Sequence, residues 1–228
     1  MLEVNDVDVY YGQLPAVREL SLRLDAGGIL AVIGSNGAGK STLLKAIAGQ
    51  VPIRSGQVLL DGRDVTRLPA YQRTRLGIAL VPEGRRLFKT LTVEENLLTA
   101  RASKRRGPWT LESVYEVLPL VAERRNRRAG DLSGGEQQAT SIARALMTNP
   151  EVLLLDEVSL GLAPAIIAQI YSFLPRIREH GTSILLVEQD VQQATKASQD
   201  VHCLLQGRTS LAGRDLDLAD ITRAYFGG

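Results

Sequence analysis

A glycine-rich segment between an apolar run and a helix-like pattern constrains this chain more than any other feature. Residues 29–33 read ILAVI, an unbroken apolar run typical of a buried parallel strand, and residues 34–41 read GSNGAGKS. The pattern satisfies G-x-x-x-x-G-K-[ST], in which glycines let backbone N–H groups converge on phosphate oxygens. A helix pattern follows over residues 40–48, and a helix N-terminus adds positive potential. Because strand, full motif and helix are all present, the segment predicts a P-loop rather than an ordinary glycine-rich turn.

The predicted P-loop gives its polar side chains defined roles. Lys40 is expected to reach the β- and γ-phosphates of a bound nucleotide, and the Ser41 hydroxyl to ligate Mg²⁺. The residues predicted to bind the nucleotide here are Gly34, Ser35, Asn36, Gly37, Ala38, Gly39, Lys40, Ser41 and Thr42. The expected ligands are therefore a nucleotide and Mg²⁺.

Two carboxylates end a second apolar run. Residues 152–157 read VLLLDE, which predicts a buried strand followed by Asp156 and Glu157. In open α/β sheets the ligand lies beyond the carboxyl ends of the strands, so both acids would face the nucleotide. Asp156 suits the surroundings of Mg²⁺, and Glu157 suits a general base that orients the attacking water. The alternative is that the two acids only cap a helix, and the presence of the P-loop makes this interpretation the weaker one.

The segment LSGGEQQ at residues 132–138 allows two interpretations. Ser133 followed by Glu136 is a capping box, which is enough to start a helix. A capping box does not explain Gly134 and Gly135, since two successive glycines weaken a first helical turn. Exposed backbone N–H groups at the start of this helix would form a second anion site. Both interpretations can hold together.

The order of strands and helices predicts a mixed α/β fold. Early strand-like segments such as residues 2–9 alternate apolar and polar side chains, whereas later ones are solidly apolar and separated by helices. This favours an N-terminal antiparallel β subdomain joined to a helix-flanked parallel-sheet core. One domain is expected, with its core at about residues 1–84 and 150–228 and a helical subdomain at about 85–149.

Composition excludes several other classes of protein. A chain of 228 residues with 23% charged residues and a formal net charge of +2 is expected to form one globular domain. Its single cysteine excludes a disulfide framework, and its two histidines exclude a His-rich metal site. No apolar run approaches the ~20 residues that span a bilayer, and residues 1–12 lack the features of an export signal. These observations predict a soluble cytosolic protein.

Two basic clusters can be interpreted as solvated surface or as partner contacts. Residues 101–106 and residues 124–128 each contain several arginines. A nucleic-acid surface would interleave aromatic residues, and only Trp109 is near. Solvated helix faces are favoured, contact with acidic loops of a partner is the alternative, and no nucleic-acid partner is expected.

The combination of motifs resembles one protein family. LSGGEQQ downstream of a P-loop and just before VLLLDE is similar to the pattern in the ATPase subunits of ABC transporters, and the resemblance covers essentially the whole chain. It implies the fold of ABC ATPases, with ATP and Mg²⁺ as cofactors. It also implies a head-to-tail dimer, in which Ser133, Gly134 and Gly135 of one subunit close over the nucleotide at the P-loop of the other. Tyr11 matches the family's adenine-stacking aromatic residue, and a tyrosine at a strand end is the alternative.

A narrower resemblance rests on four further segments. The branched-chain amino-acid import ATPases are similar at VPEGRRLF (81–88), LTVEENL (91–97), SLGLAP (159–164) and LVEQ (186–189). In that branch the usual loop glutamine is replaced by a glutamate, here Glu83, and the switch histidine by a glutamine, here Gln189.

The resemblance assigns roles to individual residues. It implies metal contacts from Ser41, Glu83 and Asp156, and catalytic roles for Lys40, Glu157 and Gln189. Because an amide exchanges no proton near neutral pH, Gln189 would only form hydrogen bonds, and general-base catalysis would fall to Glu157. Two positions depart from the pattern. Val158 stands where the branch usually has proline, and Ala163 where most ABC ATPases have an aspartate.

The resemblance also implies partners and a location. The chain would be a peripheral subunit at the cytoplasmic face of the inner cell membrane, with two transmembrane permease subunits, a second and paralogous ATPase, and indirectly an external solute-binding protein. Residues 83–96 would form the coupling surface. Branched-chain amino acids are the favoured solutes, with urea, amides and small aromatic acids as alternatives. The rival functions are a soluble ABC-type ATPase without a permease, and a module that binds ATP but hydrolyses it poorly.

Overall fold

The strands of this protein form two sheets in the computed structural model, which describes residues 1–198 and 200–226. The strands are β1 (Leu2–Tyr11), β2 (Leu14–Leu24), β3 (Ile29–Ile33), β4 (Ser55–Leu60), β5 (Arg63–Asp64), β6 (Ile78–Val81), β7 (Val152–Asp156), β8 (Ser183–Glu188), β9 (Asp200–Leu205) and β10 (Arg208–Arg214). The first sheet has the order β2-β1-β4-β5 and is antiparallel throughout. Alternate residues of β1, such as Leu2 and Val4, are fully buried, which is the half-buried pattern of an antiparallel strand.

The second sheet has the order β10-β9-β3-β8-β7-β6 and is parallel except at β10. Every residue of β3, β7 and β8 is buried, as expected of parallel strands covered on both faces. The unbroken apolar runs of the sequence therefore mark the centre of this sheet. The structure confirms the predicted α/β fold, with an antiparallel sheet formed by the N-terminal part of the chain.

The helices lie around the parallel sheet. They are α1 (Lys40–Ile47), α2 (Ala70–Leu76), α3 (Val93–Thr99), α4 (Leu111–Val117), α5 (Pro119–Glu123), α6 (Gly134–Leu146), α7 (Pro164–Glu179), α8 (Val191–Ala197) and α9 (Leu218–Phe226). The chain between β6 and β7 contains α3 to α6 and no strand among its residues, all of which are described. Within the described part of the chain, no helix is both long and apolar enough to cross a bilayer.

A buried arginine holds the C-terminal end of α1. The guanidinium of Arg73, on α2, donates hydrogen bonds to the carbonyl oxygens of Ala46, Ile47, Thr66 and Leu68. The last carbonyls of a helix have no partner within it, so Arg73 supplies donors where α1 ends. Burial lowers the pKa of this guanidinium.

Replacing Arg73 with methionine should lower the free energy of unfolding by about 3 kcal/mol or more, because buried carbonyl oxygens lose their donors. Urea denaturation measures this change. Arg75→Met is the matched control, since Arg75 lies exposed on the same helix and its loss should cost no more than about 0.5 kcal/mol. A loss for Arg73→Met that is as small as the one expected for the control would show that the buried guanidinium adds nothing to stability.

Candidate active site

The P-loop lies where the carboxyl ends of the central parallel strands meet. Residues 34–39 connect the end of β3 to the start of α1, and β7 and β8 end beside it. A cavity of about 380 Å³ opens here. It is lined by every residue from Asn36 to Thr42 and by Glu83, Glu157 and Gln189. The structure therefore brings together the main residues that the motifs singled out.

Close backbone approaches explain two of the glycines. Gly39 has φ of 100°, and a Cβ there would overlap the carbonyl oxygen of Ala16 on β2. A Cβ on Gly34 would lie 2.5 Å from the carbonyl oxygen of Leu204 on β9. Any side chain at these positions would push the P-loop away from its supporting strands, so the loop's shape requires glycine.

Lys40 is buried, with only 3% of its surface exposed, and its ammonium group contacts three oxygen atoms. Nζ donates hydrogen bonds to the carbonyl oxygens of Gly34 and Ser35, at 2.7 and 3.1 Å. It also forms an ion pair with Oε1 of Glu157 at 3.3 Å. The P-loop lysine and the predicted general base are thus direct neighbours.

Ser41 and Asp156 form the part of the site suited to a metal ion. The Ser41 hydroxyl donates to Oδ1 of Asp156 at 2.7 Å. Asp156 is 1% exposed, and its second oxygen, Oδ2, has no hydrogen-bond partner. Burial and the neighbouring Glu157 charge raise the pKa of Asp156. A buried carboxylate oxygen without a partner, next to a hydroxyl, fits the hard oxygen ligands that Mg²⁺ takes.

The other ligands of such an ion would have to come from elsewhere. Among the described residues, no group of three His, Cys, Asp or Glu side chains is placed to hold a metal ion. Glu83 lines the cavity from the loop after β6, with its side chain exposed. The remaining ligands would therefore be nucleotide phosphates and water, as is usual for Mg²⁺ sites.

Glu157 and Gln189 are hydrogen-bonded to each other. Nε2 of Gln189 donates to Oε2 of Glu157 at 2.6 Å. The backbone of Glu157 is in the left-handed region, with φ of 47°, and its N–H donates to the carbonyl oxygen of Val187 at 3.0 Å. The carboxylate therefore lies between the Lys40 ammonium and the Gln189 amide, at the edge of the cavity.

The glycine-rich segment before α6 combines capping with close packing. Ser133 caps α6 through a reciprocal pair of hydrogen bonds with Glu136, so the capping box is present. A Cβ on Gly135 would overlap Cγ2 of Ile166 on α7, and one on Gly134 would lie 3.1 Å from the Arg85 guanidinium. Close packing thus explains why these two positions are glycine, which the sequence alone did not show. Their predicted role as an anion site stays a prediction.

The segment lies apart from the P-loop of its own chain. Ser133, Gly134 and Gly135 are absent from the described residues that line the P-loop cavity. Ser133 is exposed at the start of α6. The segment therefore does not contribute to the P-loop cavity as the structure describes it.

Tyr11 lies at the end of β1, next to the turn into β2, and is 50% exposed. It is not among the described residues that line the P-loop cavity, although Ala16 on the following strand is. Its role in stacking on adenine remains a prediction.

Two residues near the site make contacts that the sequence alone does not predict. Arg85 lies against Gly134 and donates to the Gln137 side chain at 3.3 Å. Glu188, the residue before Gln189, is a buried carboxylate with three hydrogen bonds. In the sequence, Glu188 could have been singled out because it is a charged residue at the end of an apolar strand.

Comparisons with known proteins assign the family. The ABC transporter family model matches residues 17–159. The chain is 42% identical to the high-affinity branched-chain amino acid transport ATP-binding protein BraG of Pseudomonas aeruginosa, across all of both chains. It is 31% identical to BraF of the same organism, over all of this chain and 98% of that protein. The dimeric structure of the bacterial ABC transporter cassette MJ0796 is 25% identical with a TM-score of 0.82, over 95% of this chain and all of the other. Together with the P-loop site, these matches show that the chain belongs to the ABC transporter family and is one of its ATP-hydrolysing subunits.

Proposed function

We propose that this chain is the Mg²⁺-dependent ATPase subunit of an importer for branched-chain or related amino acids, bound at the cytoplasmic face of the inner membrane. The observation that carries the proposal is the contact of Lys40, Glu157 and Gln189 at the edge of the P-loop cavity. The names of BraG and BraF support the choice of solute.

The side chains divide the work of hydrolysis. The P-loop N–H groups and Lys40 bind the phosphates. Ser41 and Asp156, with Glu83 in the lining of the same cavity, would hold Mg²⁺, which would supply neutralisation of phosphate charge. The Glu157 carboxylate accepts a proton from the attacking water, a role that typically contributes 10²–10⁴-fold to rate. Gln189 donates to Glu157 and so fixes the orientation of its carboxylate.

A head-to-tail dimer would complete each nucleotide site. The segment Ser133–Gly135 does not line the nucleotide cavity of its own chain, which favours contact with a nucleotide held by another subunit. The structure of the cassette MJ0796 is dimeric, which supports the formation of a dimer. Because Pseudomonas aeruginosa has both BraG and BraF, a paralogous mate is favoured over an identical one.

A second cavity, of about 390 Å³, is the proposed docking groove for the permease. It lies between α2 and β6 on one side and α3 and α6 on the other, and Phe88 and Arg144 line it. The side chain of Asn96 fixes this wall, because it accepts from the Phe88 N–H and donates to the Phe88 carbonyl. Residues 83–96 therefore join the nucleotide cavity, through Glu83, to the groove, through Phe88.

Replacing Phe88 with aspartate should abolish co-purification of the permease, because Phe88 is 54% exposed and a carboxylate there would oppose an apolar partner surface. The measurement is recovery of polytopic chains from membranes. Phe226→Asp is the control, since Phe226 is 77% exposed on α9, and it should leave recovery unchanged. Full recovery with the Phe88 variant would move the docking surface elsewhere.

The function itself is tested by purifying the tagged chain from its native membranes in mild detergent and identifying the co-purifying chains by mass spectrometry. Two polytopic permeases and a second P-loop subunit are expected, and the associated binding protein can be screened against amino acids, urea, amides and small aromatic acids. Recovery of soluble chains only would favour an ABC-type ATPase without a permease. Steady-state phosphate release distinguishes an active ATPase from a module that only binds ATP.

A further inference from the structure

A buried carboxylate with no role in the hydrolysis steps lies directly behind the catalytic residues. Glu188 ends β8 and is 1% exposed. Its Oε2 accepts from the Ser159 hydroxyl at 2.7 Å, and its Oε1 accepts from the Tyr171 hydroxyl at 2.7 Å and the Ser159 N–H at 3.3 Å. Both oxygens are therefore engaged, by donors from the loop after β7 and from α7.

The loop that donates two of these hydrogen bonds, through Ser159, also carries the general base. Ser159 is two residues beyond Glu157, whose left-handed backbone is a conformation that a glutamate rarely adopts. Such a conformation persists only where its surroundings hold it. Here the Glu157 N–H is bound by Val187, and Ser159 is bound by Glu188, so two successive residues of β8 hold the loop at two points.

The same strand end also leads into Gln189, whose side chain reaches Glu157. Residues 187, 188 and 189 therefore each contact the segment of residues 157–159. The middle contact is made by the buried carboxylate of Glu188. Val158, between the two loop contacts, is packed in the core and lacks the fixed φ of a proline. Hydrogen bonds, rather than a rigid residue, therefore keep this loop in place.

We propose that Glu188 is a positioning residue for ATP hydrolysis, whose carboxylate ties the loop after β7 to the end of β8 and so keeps Glu157 and Gln189 aligned. The proposal rests on the proposed roles of those two residues. Burial raises the pKa of Glu188, while hydrogen bonds from Tyr171 and Ser159 act in the opposite direction. Burying this carboxylate is thus costly, and its hydrogen bonds to the loop after β7 explain why a carboxylate is present here.

The test compares one substitution that removes the hydrogen bonds of Glu188 with one that keeps most of them. Glu188→Leu keeps the approximate volume and loses every acceptor, and should lower kcat by about 10- to 100-fold with KM for ATP within about twofold. Glu188→Gln keeps one acceptor oxygen, and its amide can donate to the Ser159 or Tyr171 hydroxyl, so most of the turnover should return. A rise in KM without a fall in kcat, or no recovery with glutamine, would overturn the proposal.

A second comparison separates positioning from general destabilisation. In a Glu157→Gln background there is no base left to align, so adding Glu188→Leu should cause no further loss of turnover. A further loss of the full 10- to 100-fold would indicate a structural role only. Should the leucine variant fail to fold, Tyr171→Phe and Ser159→Ala, each removing a single donor, should each lower kcat in part.

Hydrogen–deuterium exchange in residues 157–163 provides a readout independent of catalysis. Exchange should rise in this segment in the Glu188→Leu variant while the segment of residues 34–41 stays unchanged. Faster exchange with normal kcat would overturn the positioning role while leaving the proposed function intact. Absence of phosphate release by the unsubstituted protein would instead count against the proposed function.

Discussion

Replacing Glu157 with glutamine should lower the rate of phosphate release by roughly 10²–10⁴-fold while ATP binding stays intact. The amide has nearly the same shape as the carboxylate but cannot take a proton from water. In the structure Glu157 touches Lys40 through Oε1 and Gln189 through Oε2, and Gln189 has no titratable group with which to take over. The P-loop contacts of Lys40 to Gly34 and Ser35 do not depend on Glu157, so the phosphate-binding surface should remain.

The measurement is steady-state phosphate release by the purified chain, combined with the dissociation constant for Mg²⁺–ATP from calorimetry. Glu179→Gln is the matched control, because Glu179 is an exposed glutamate at the end of α7 and the substitution changes the net charge equally. Unchanged turnover with the Glu157 variant would remove Glu157 as the general base. A large loss of ATP affinity would show that its ion pair with Lys40 organises the P-loop.

The parts of the site that could be predicted from the sequence are those that local chemistry dictates. The P-loop was recognisable because a strand, a glycine pattern and a helix start follow each other within a few residues, and Gly34 and Gly39 indeed lie against backbone carbonyls. Asp156 and Glu157 were also recognisable from local sequence, because two acids directly after a buried apolar strand are expected to face the ligand at the end of the sheet. The α/β fold followed from strands that are apolar throughout.

The parts that escaped prediction depend on contacts between distant segments. The residues next to Arg73 in the sequence do not predict that its guanidinium contacts the end of α1. Likewise, the residues next to Glu188 do not predict its hydrogen bonds with Ser159 and Tyr171. Gly135 is similar, because its partner Ile166 lies on another helix. In each case the fold selects the residue type, and one sequence without its structure shows only an isolated arginine, glutamate or glycine.

Replacing Gly135 with alanine should lower turnover about 10- to 100-fold while leaving ATP binding at the same chain's P-loop unchanged. The new Cβ would overlap Cγ2 of Ile166, and a β-branched side chain cannot move this methyl without rotating as a whole. Overpacking of this kind costs about 1–3 kcal/mol, which corresponds to the stated loss of rate if α6 and α7 must shift when the dimer closes. Gly135 is not among the described residues that line the P-loop cavity, so the affinity for nucleotide should stay unchanged when turnover falls.

A compensating substitution separates packing from anion binding. Ile166→Ala removes the methyl group that the new Cβ would meet, so the double variant Gly135→Ala with Ile166→Ala should recover most of the lost turnover. Ile166→Ala alone is the control, and because Ile166 is only partly buried its effect should be small. A double variant as slow as Gly135→Ala would show that the glycine is needed for its backbone and not for its contact with α7.

Mixing the Gly135→Ala and Glu157→Gln chains then tests whether the segment Ser133–Gly135 acts on the nucleotide of its own chain or on that of the other subunit. In a head-to-tail dimer reconstituted in vitro from one copy of each, in which this chain also takes the place of the paralogous mate, one nucleotide site carries both substitutions and the other carries neither. Equal mixing of two slow proteins should therefore restore about a quarter of the original turnover, since half the dimers are mixed and each holds one intact site. If Gly135 instead acted on the nucleotide of its own chain, both sites of a mixed dimer would be impaired. Turnover would then stay at the level of the slow variants even when chromatography shows that mixed dimers have formed.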